Sequence, residues 1–147
     1  MYLDDLSEGF TFVTDARAVS ESDIIGFARQ WDPQAFHVDK EAAEASPFGG
    51  LIASGFHTML IAFVLTLEAD IWNEASMGSP GMDELRWLAP VRPGDVLSAR
   101  GTILSVTPSS SRPDRGRAVI KYEVLNQDDQ VVMSYLITHI LRRSGTV

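Results

Sequence analysis

The sequence predicts an α+β fold in which a curved antiparallel β-sheet wraps around one long, central, apolar α-helix. The stretch "LIASGFHTMLIAFVLTL" at 51–67 contains no acidic or basic residue, and a helix that is apolar on every side must be buried on nearly every side. Four strand-like runs follow this helix and supply a sheet that can cover it. With 147 residues the chain has the size of one domain, so we expect 1–147 to be a single domain.

The first third of the chain predicts a strand followed by a short helix. The segment "FTFVTDARAV" at 10–19 is rich in Phe, Thr and Val, as strands are. Ser20 is a good helix cap, and Asp23 takes the acidic place of a capping box. Pro33 ends the helix, because the residue before a proline avoids the helical region. The buried stripe of this helix is predicted to comprise Ile24, Phe27, Ala28 and Trp31.

The rest of the chain predicts the remaining helical turns, the bounds of the apolar helix and the strands of the sheet. One or two helical turns are predicted at 39–45 and a turn at 46–50, before the apolar helix, which runs from about 52 to 72. The predicted strands of the sheet are 83–91, 95–106, 117–126 and 131–143. A sheet of this size covers one helix incompletely and leaves an open edge. We therefore expect a homodimer, or a higher oligomer built from dimers.

Composition excludes several classes of function. The chain has 12 basic and 20 acidic residues and a net charge of −8, which argues against nucleic-acid binding. It contains no cysteine, so disulfides, thiolate catalysis and zinc–thiolate sites are excluded. The three histidines, His37, His57 and His139, have no compact metal-ligand spacing, and no metal is expected.

The sequence predicts neither a secretion signal nor a membrane span. The first residues, "MYLDDLSEGF", are acidic and lack the basic and apolar layout of a signal peptide, so a cytoplasmic protein is expected. The apolar stretch includes polar residues, ends at Glu68 and Asp70, and has no Lys or Arg near either end. It is better interpreted as a buried helix of a soluble protein.

Three motifs, in order, resemble one known family. They are Asp32-Pro33-Gln34-Ala35-Phe36-His37, then Ser54-Gly55-Phe56, then Pro90-Val91-Arg92-Pro93-Gly94-Asp95. The chain is similar over almost its whole length to the MaoC-like, (R)-specific enoyl-CoA hydratase branch of the hotdog-fold superfamily. The family's first motif is Asp-x-Asn-Pro-x-His, and Gln34 and Ala35 replace its Asn and Pro.

The resemblance implies an activity and a set of catalytic residues. A carboxylate and an imidazole, here Asp32 and His37, act on one water that adds to the double bond of an enoyl thioester. The backbone N–H of Gly55, at the start of the apolar helix, is placed to stabilise negative charge on the thioester oxygen. The implied substrate is an acyl-CoA rather than an acyl carrier protein conjugate, the product is the (R)-3-hydroxyacyl thioester, and no cofactor is required.

Each of these residues also has a purely structural interpretation. Asp32 can be a turn former before Pro33, and His37 can be a loop histidine bonded to Asp39. Gly55 can simply permit close packing of the helix on a strand. Taken alone, Asp32 and His37 each favour the structural interpretation. The resemblance favours the functional interpretation of the pair, because Asp32 and His37 have the family's spacing and lie upstream of the apolar helix.

Further residues are candidates for substrate binding. Trp31, Phe36 and Phe56 are predicted to form the wall of an acyl pocket, with Gln34 nearby. His57, one turn into the helix, is expected to pack or to line the substrate, and His139 to be structural. Three arginines on a Ser-rich loop, Arg112, Arg115 and Arg117, are candidates for the phosphates of coenzyme A. The alternative for these arginines is a solvated hairpin loop.

Two rival functions stay open. A thioesterase of the same fold would carry its acid on the central helix, and Glu68 and Asp70 lie too near the end of that helix to favour it. A non-catalytic acyl-binding protein is kept open by Gln34 and Ala35, which depart from the family motif.

Overall fold

The computed structural model describes residues 1–145 and consists of six strands and four helices. A 3₁₀ turn at Leu3–Asp5 precedes them, and a second one at Asn73–Ala75 lies between the fourth helix and the third strand. The helices are α1 (Glu21–Trp31), α2 (Ala35–Val38), α3 (Lys40–Glu44) and α4 (Gly55–Ala69). The strands are β1 (Thr11–Val13), β2 (Arg17–Ala18), β3 (Gly81–Trp87), β4 (Val96–Pro108), β5 (Arg115–Leu125) and β6 (Val131–Arg142).

The strands form one antiparallel sheet in the order β1-β4-β5-β6-β3, and β2 also pairs with β4. The three long central strands are those predicted at 95–106, 117–126 and 131–143, because strand-like runs bounded by turn residues identify strands well. β1 and β3 occupy the two edges. The prediction of an antiparallel sheet around one central helix is confirmed.

The core lies between α4 and the inner face of the sheet. On β5 every second residue is buried, including Ala118, Ile120, Tyr122 and Val124, as the period of two requires. The buried positions of α4 are Thr58, Ile61, Ala62 and Leu65. This packing fixes the N-terminus of α4 against the end of the sheet at which β3 ends and β6 begins.

The predicted first strand at 10–19 is divided into β1 and β2. Between them, the hydroxyl of Thr14 accepts a hydrogen bond from the backbone N–H of Ala99, and the N–H of Thr14 donates to the carbonyl of Ala99. The side chain of Thr14 thus replaces a backbone acceptor in the hydrogen bonding between this segment and β4. The predicted single strand is therefore interrupted, and a side-chain contact of this kind leaves no trace in a hydrophobic pattern.

The predicted α4 was too long. Ser54 caps its N-terminus by accepting a hydrogen bond from the N–H of Phe56, and Asp70 ends it in the left-handed conformation with φ of 51°. α1 begins as predicted, because the hydroxyl of Ser20 accepts a hydrogen bond from the N–H of Asp23.

Two predictions of burial were wrong. Trp31 was assigned to the buried stripe of α1, but its side chain is 68% exposed. α4 was expected to be buried on nearly every side, but four of its apolar residues are exposed: Phe56, Leu60, Phe63 and Leu67. Their spacing places them on one face of the helix, which the sheet of the same chain does not cover.

Within residues 1–145, no helix combines the length and the apolar character that crossing a membrane demands.

Adjacent residues of β4 test which way this strand faces. Ile103 is 1% exposed and Leu104 is 42% exposed. We expect Ile103→Ala to lower the free energy of unfolding by about 2–5 kcal/mol, because it opens a cavity in the core. Leu104→Ala is the matched control and should cost less than about 1 kcal/mol in chemical denaturation. Equal costs at the two positions would contradict the orientation of β4.

Candidate active site

The end of α1 and the short helix α2 bring Asp32 and His37 together. Asp32 is the residue that follows the last turn of α1, and its N–H still donates to the carbonyl of Ala28. Pro33 then redirects the chain into α2, which carries His37. The imidazole Nε2 of His37 lies 3.3 Å from Oδ2 of Asp32. The structure therefore places the two predicted catalytic side chains in direct contact.

The other nitrogen of His37 fixes the orientation of the ring. Its Nδ1 lies 2.7 Å from the carbonyl oxygen of Ile52, which can only accept a hydrogen bond. Nδ1 therefore carries the proton in the neutral imidazole, and Nε2 has a free lone pair. His37 is 4% exposed, and the edge of Phe36 packs against the ring with the centroids 4.5 Å apart. The basic nitrogen of His37 thus faces Asp32.

Two further side chains donate hydrogen bonds to Asp32. The hydroxyl of Ser54 donates to Oδ2 at 2.7 Å, and the amide of Gln34 donates to Oδ1 at 2.8 Å. Burial alone raises the pKa of Asp32, but the hydrogen bonds from Gln34 and Ser54, together with the positive charge that His37 carries when it is protonated, outweigh it. The pKa of Asp32 is therefore lowered, and the carboxylate is ionised at neutral pH.

The N-terminus of α4 lies beside this pair. Ser54, which is fully buried, caps the helix and bonds to Asp32 at the same time. Gly55 follows it as the first residue of the helix, where an N–H has no carbonyl partner within the helix. A Cβ on Gly55 would overlap the indole of Trp87, with the nearest atom being Nε1. A glycine is therefore required here for Trp87 to pack on the helix.

A cavity of about 380 Å³ opens next to these groups. Its polar wall includes Asp32, Gln34 and His37, and its apolar wall is formed by residues of α4, β3 and the segment that follows β3. The residues lining it are Asp32, Gln34, His37, Phe48, Ile52, Ala53, Gly55, Phe56, Thr58, Trp87, Leu88, Ala89, Pro90, Val91 and Val132. A mostly apolar cavity with a few convergent polar groups is typical of a small-molecule site.

Several residues predicted to bind substrate lie elsewhere. Trp31 does not line the cavity and points to solvent. Phe36 lies behind His37 and supports its ring. His57 stacks on Phe27 with the ring centroids 4.6 Å apart and lines a separate depression beside α1. Burial is the main reason that the pKa of His57 is lowered. The structure thus brings together Asp32, Gln34, His37, Gly55 and Phe56.

The arginine loop lies at the opposite end of the sheet. Arg112, Arg115 and Arg117 line a different depression, next to Ile140 of β6. Val132, at the start of β6, lies in the wall of the main cavity. The strand rise of about 3.3 Å per residue separates positions 132 and 140 by roughly 26 Å. Within one chain these arginines are remote from Asp32 and His37, and the structure does not bring them to the cavity.

Two residues of the site were missed from the sequence. Ser54 was considered only as part of the second motif, and Trp87 only as a residue of the strand predicted at 83–91. Ser54 carried a detectable signal, because it is a Ser directly before a helix, and such a cap is also free to donate its hydroxyl hydrogen. Trp87 carried none, since its contact with Gly55 depends on how β3 meets α4.

His139, expected to be structural, lies far along β6 from the catalytic pair. Its Nε2 is 3.0 Å from the hydroxyl of Tyr122, and burial lowers its pKa to about 4. Within the described part of the chain, no group of three or more His, Asp or Glu side chains has the arrangement of a metal site.

Comparison with known proteins identifies the family. The model of the MaoC like domain matches residues 8–124, so the chain belongs to the MaoC-like dehydratase family. It is 32% identical over 143 residues to the uncharacterized protein YdeM of Bacillus subtilis, which covers 97% of this chain and 100% of that protein. It is 29% identical over 113 residues to the (R)-specific enoyl-CoA hydratase of Rhodospirillum rubrum, covering 73% and 72% of the two chains.

The solved structures include a similar chain. The crystal structure of the MaoC-like dehydratase from Rhodospirillum rubrum superposes with a TM-score of 0.93 at 38% identity and covers 99% of both chains. The resemblance inferred from the three sequence motifs is thereby confirmed, and so is the hotdog fold.

The hydrogen bond from Ser54 makes a prediction about pH. Ser54→Ala removes a donor to the ionised carboxylate, so the pKa of Asp32 should rise. Because a lowered pKa stabilises the folded state above the unfolded pKa, the variant should lose stability near neutral pH and lose less at acidic pH, where Asp32 is protonated. Carbon NMR titration of the Asp32 carboxyl measures the shift. Ser7→Ala, an exposed serine, should leave this titration unchanged; an unchanged pKa in Ser54→Ala would contradict the network.

Proposed function

We propose that this protein reversibly hydrates a trans-2-enoyl thioester to a 3-hydroxyacyl thioester. The observation that carries the proposal is the contact between His37 Nε2 and Asp32 Oδ2 at the edge of the cavity. The family also supports it, because the hydratase of Rhodospirillum rubrum is among the relatives. Asp32, His37 and Gly55 are assigned to catalysis.

His37 Nε2 and the Asp32 carboxylate are two hydrogen-bond acceptors that can hold one water molecule between them. With Nδ1 of His37 protonated, both Nε2 and the Asp32 carboxylate accept hydrogen bonds. A water that donates one hydrogen to each has its oxygen lone pairs directed toward the substrate. Because Ser54 and Gln34 hold the carboxylate and Ile52 holds the imidazole, the water would be fixed without reorganisation of the site.

The environments of His37 and Asp32 indicate which group carries the proton during the reaction. His37 Nε2 takes a proton from water as the oxygen bonds to the β-carbon. The ionised Asp32 stabilises the resulting imidazolium, and Nε2 returns the proton to the α-carbon. One C–O and one C–H bond form while the double bond and one O–H bond of water are lost, so that the enzyme is unchanged. General acid–base groups of this kind contribute about 10²–10⁴-fold.

Negative charge on the thioester oxygen requires a donor. The N–H of Gly55 is assigned this role, since it belongs to the first turn of α4, where the helix dipole also favours an anion. Gly55 borders the cavity together with Phe56, whose ring is 54% exposed. The thioester is thus placed across the start of α4, with its β-carbon toward Asp32 and His37.

The carrier and the stereochemistry are assigned by similarity. The relative in Rhodospirillum rubrum is named for (R)-specific hydration of an enoyl-CoA. We therefore assign an acyl-CoA as the substrate, in preference to an acyl carrier protein conjugate, and the (R) product. The reaction as written uses only side chains, backbone and water, so no cofactor enters it.

Replacing the two catalytic side chains tests the function. Purified protein should lower the enoyl-thioester absorbance of crotonyl-CoA without releasing free thiol. Asp32→Asn and His37→Gln should each lower kcat by about 10²–10⁴-fold, since each removes a group that acts on the water. Thermal unfolding checks that the variants are folded.

Other outcomes separate the rival functions. Release of free thiol would identify a thioesterase instead. Binding of acyl-CoA without turnover over a range of chain lengths would identify a non-catalytic acyl-binding protein. Full activity in either variant would contradict the assignment of that residue.

We also infer that two copies associate through β3 and α4. β3 is an edge strand, and the exposed face of α4 made of Phe56, Leu60, Phe63 and Leu67 lies on the uncovered side of the helix. Asp83 and Arg86 lie on either side of the middle of β3. A two-fold axis near the middle of β3 would bring the segments with Asp83 and Arg86 of the two copies close together. A second copy would therefore cover the exposed apolar face of α4 and pair with the open edge of β3.

A charge in the exposed face of α4 tests the association. Phe63→Glu would place two carboxylates in one apolar interface, so the dimer should dissociate to monomers. Light scattering during size-exclusion chromatography measures the mass. Leu104→Glu, an exposed apolar residue of β4 outside this surface, should leave the dimer intact. A monomeric wild-type protein, or a dimeric Phe63→Glu, would contradict the inference.

A further inference from the structure

Trp87 occupies an unusual position at the end of β3. The register of β3 against β6 shifts between Asp83 and Arg86, and Glu84 has φ of 50°, which is a β-bulge in the edge strand. Bulges change the direction of the side chains that follow them. Beyond the bulge, Trp87 pairs with Met133, and the N–H of Leu88 donates to the carbonyl of Val132. This anchors the backbone of Trp87 beside the start of α4.

The indole packs directly on the first turn of α4. Its five-membered ring lies against Gly55, and Nε1 is the ring atom nearest to the place of a Cβ. The ring of Phe56 meets it edge-to-face, with centroids 5.6 Å apart. Trp87 also borders the cavity and is 48% exposed. The polar atom of Trp87 is therefore next to the same residue whose N–H is assigned to the thioester oxygen.

Two hydrogen-bond donors belong to neighbouring residues at the start of α4: the backbone N–H of Gly55 and the indole N–H of Trp87. An indole N–H can donate a hydrogen bond but cannot accept one. The other side-chain donors nearby have partners: Ser54 and Gln34 donate to Asp32, and Thr58 donates to the carbonyl of Ser54 at 3.5 Å. Among the described residues that line the cavity, the indole of Trp87 is thus the side-chain donor adjacent to an oxygen that develops negative charge at Gly55.

We propose that Trp87 is a catalytic residue that donates its Nε1–H to the thioester carbonyl oxygen, alongside the N–H of Gly55. This inference rests on the proposed hydratase function. Two donors on one oxygen stabilise the enolate-like transition state more than the neutral thioester, because the charge on that oxygen grows during the reaction. The glycine at position 55 is then needed so that the ring can approach the helix end.

Replacing the indole nitrogen while keeping an aromatic ring tests this role. In Trp87→Phe we expect kcat for crotonyl-CoA to fall about 10²-fold, the low end for loss of one such donor. The KM should change by less than about threefold, because the lost interaction acts mainly in the transition state.

Trp72→Phe makes the same change in the core, away from the cavity. It should lower the thermal stability and leave kcat within about twofold, since a purely packing role of an indole acts on stability rather than on the transition state. A kcat in Trp87→Phe equal to that of the wild type would overturn the proposal while leaving the hydratase function intact. Absence of hydration by the wild type would overturn the function itself.

A spectroscopic readout separates donation from packing. In Asp32→Asn, which should bind substrate without turning it over, the absorbance of cinnamoyl-CoA should shift to longer wavelength as its carbonyl becomes polarised. Adding Trp87→Phe should reduce this shift, whereas adding Trp72→Phe should not. An undiminished shift in the Trp87→Phe double variant would show that the indole does not touch the carbonyl.

Discussion

The hydrogen bonding of one carboxylate, that of Asp32, holds the candidate site together. It joins the end of α1 to the adjacent segment with Gln34 and His37 and, 22 residues further along the chain, to the cap of α4 at Ser54. The same contacts lower the pKa of Asp32 and so keep it ionised beside the imidazole. The hydrogen bonds from Gln34 and Ser54 thus both fix the position of the Asp32 carboxylate and keep it negatively charged.

The fold serves this network by bringing a helix N-terminus to the end of the sheet. α4 packs along the inner face of the sheet and places Gly55 against Trp87 at the end of β3. The lack of a side chain at Gly55 then serves packing and, as proposed, catalysis together. The sequence left two interpretations of Gly55 open, close packing of the helix and donation of its N–H to the thioester oxygen, and these are therefore compatible. The apolar face of α4 that the sheet leaves uncovered connects the same helix to the proposed association of two copies.

Much of the fold could be predicted from the sequence, because the long strands are runs rich in apolar and β-branched residues between turns and the apolar stretch 51–67 contains no charged residue. The pair Asp32 and His37 could also be recognised, because the motif that contains them resembles the first motif of a known family. Trp87 could not, because its contact with Gly55 joins segments far apart in the chain. Ser54 could be recognised as a helix cap, but its hydrogen bond to Asp32 could not. The exposure of Trp31 was missed, since helical spacing shows which residues share a face but not whether another element covers it. The distance of Arg112, Arg115 and Arg117 from the cavity depends on strand length, which charge clustering does not reveal.

The central claim is that Asp32 and His37 act as one unit on one water molecule. A double-mutant cycle on kcat tests it most directly: Asp32→Asn, His37→Gln and the double variant are compared with the wild type. If the two groups act together, the double variant should be about as slow as the slower single variant, because the second change removes nothing further. Losses that multiply, so that the double variant is slower than either single variant by the full product, would contradict the account.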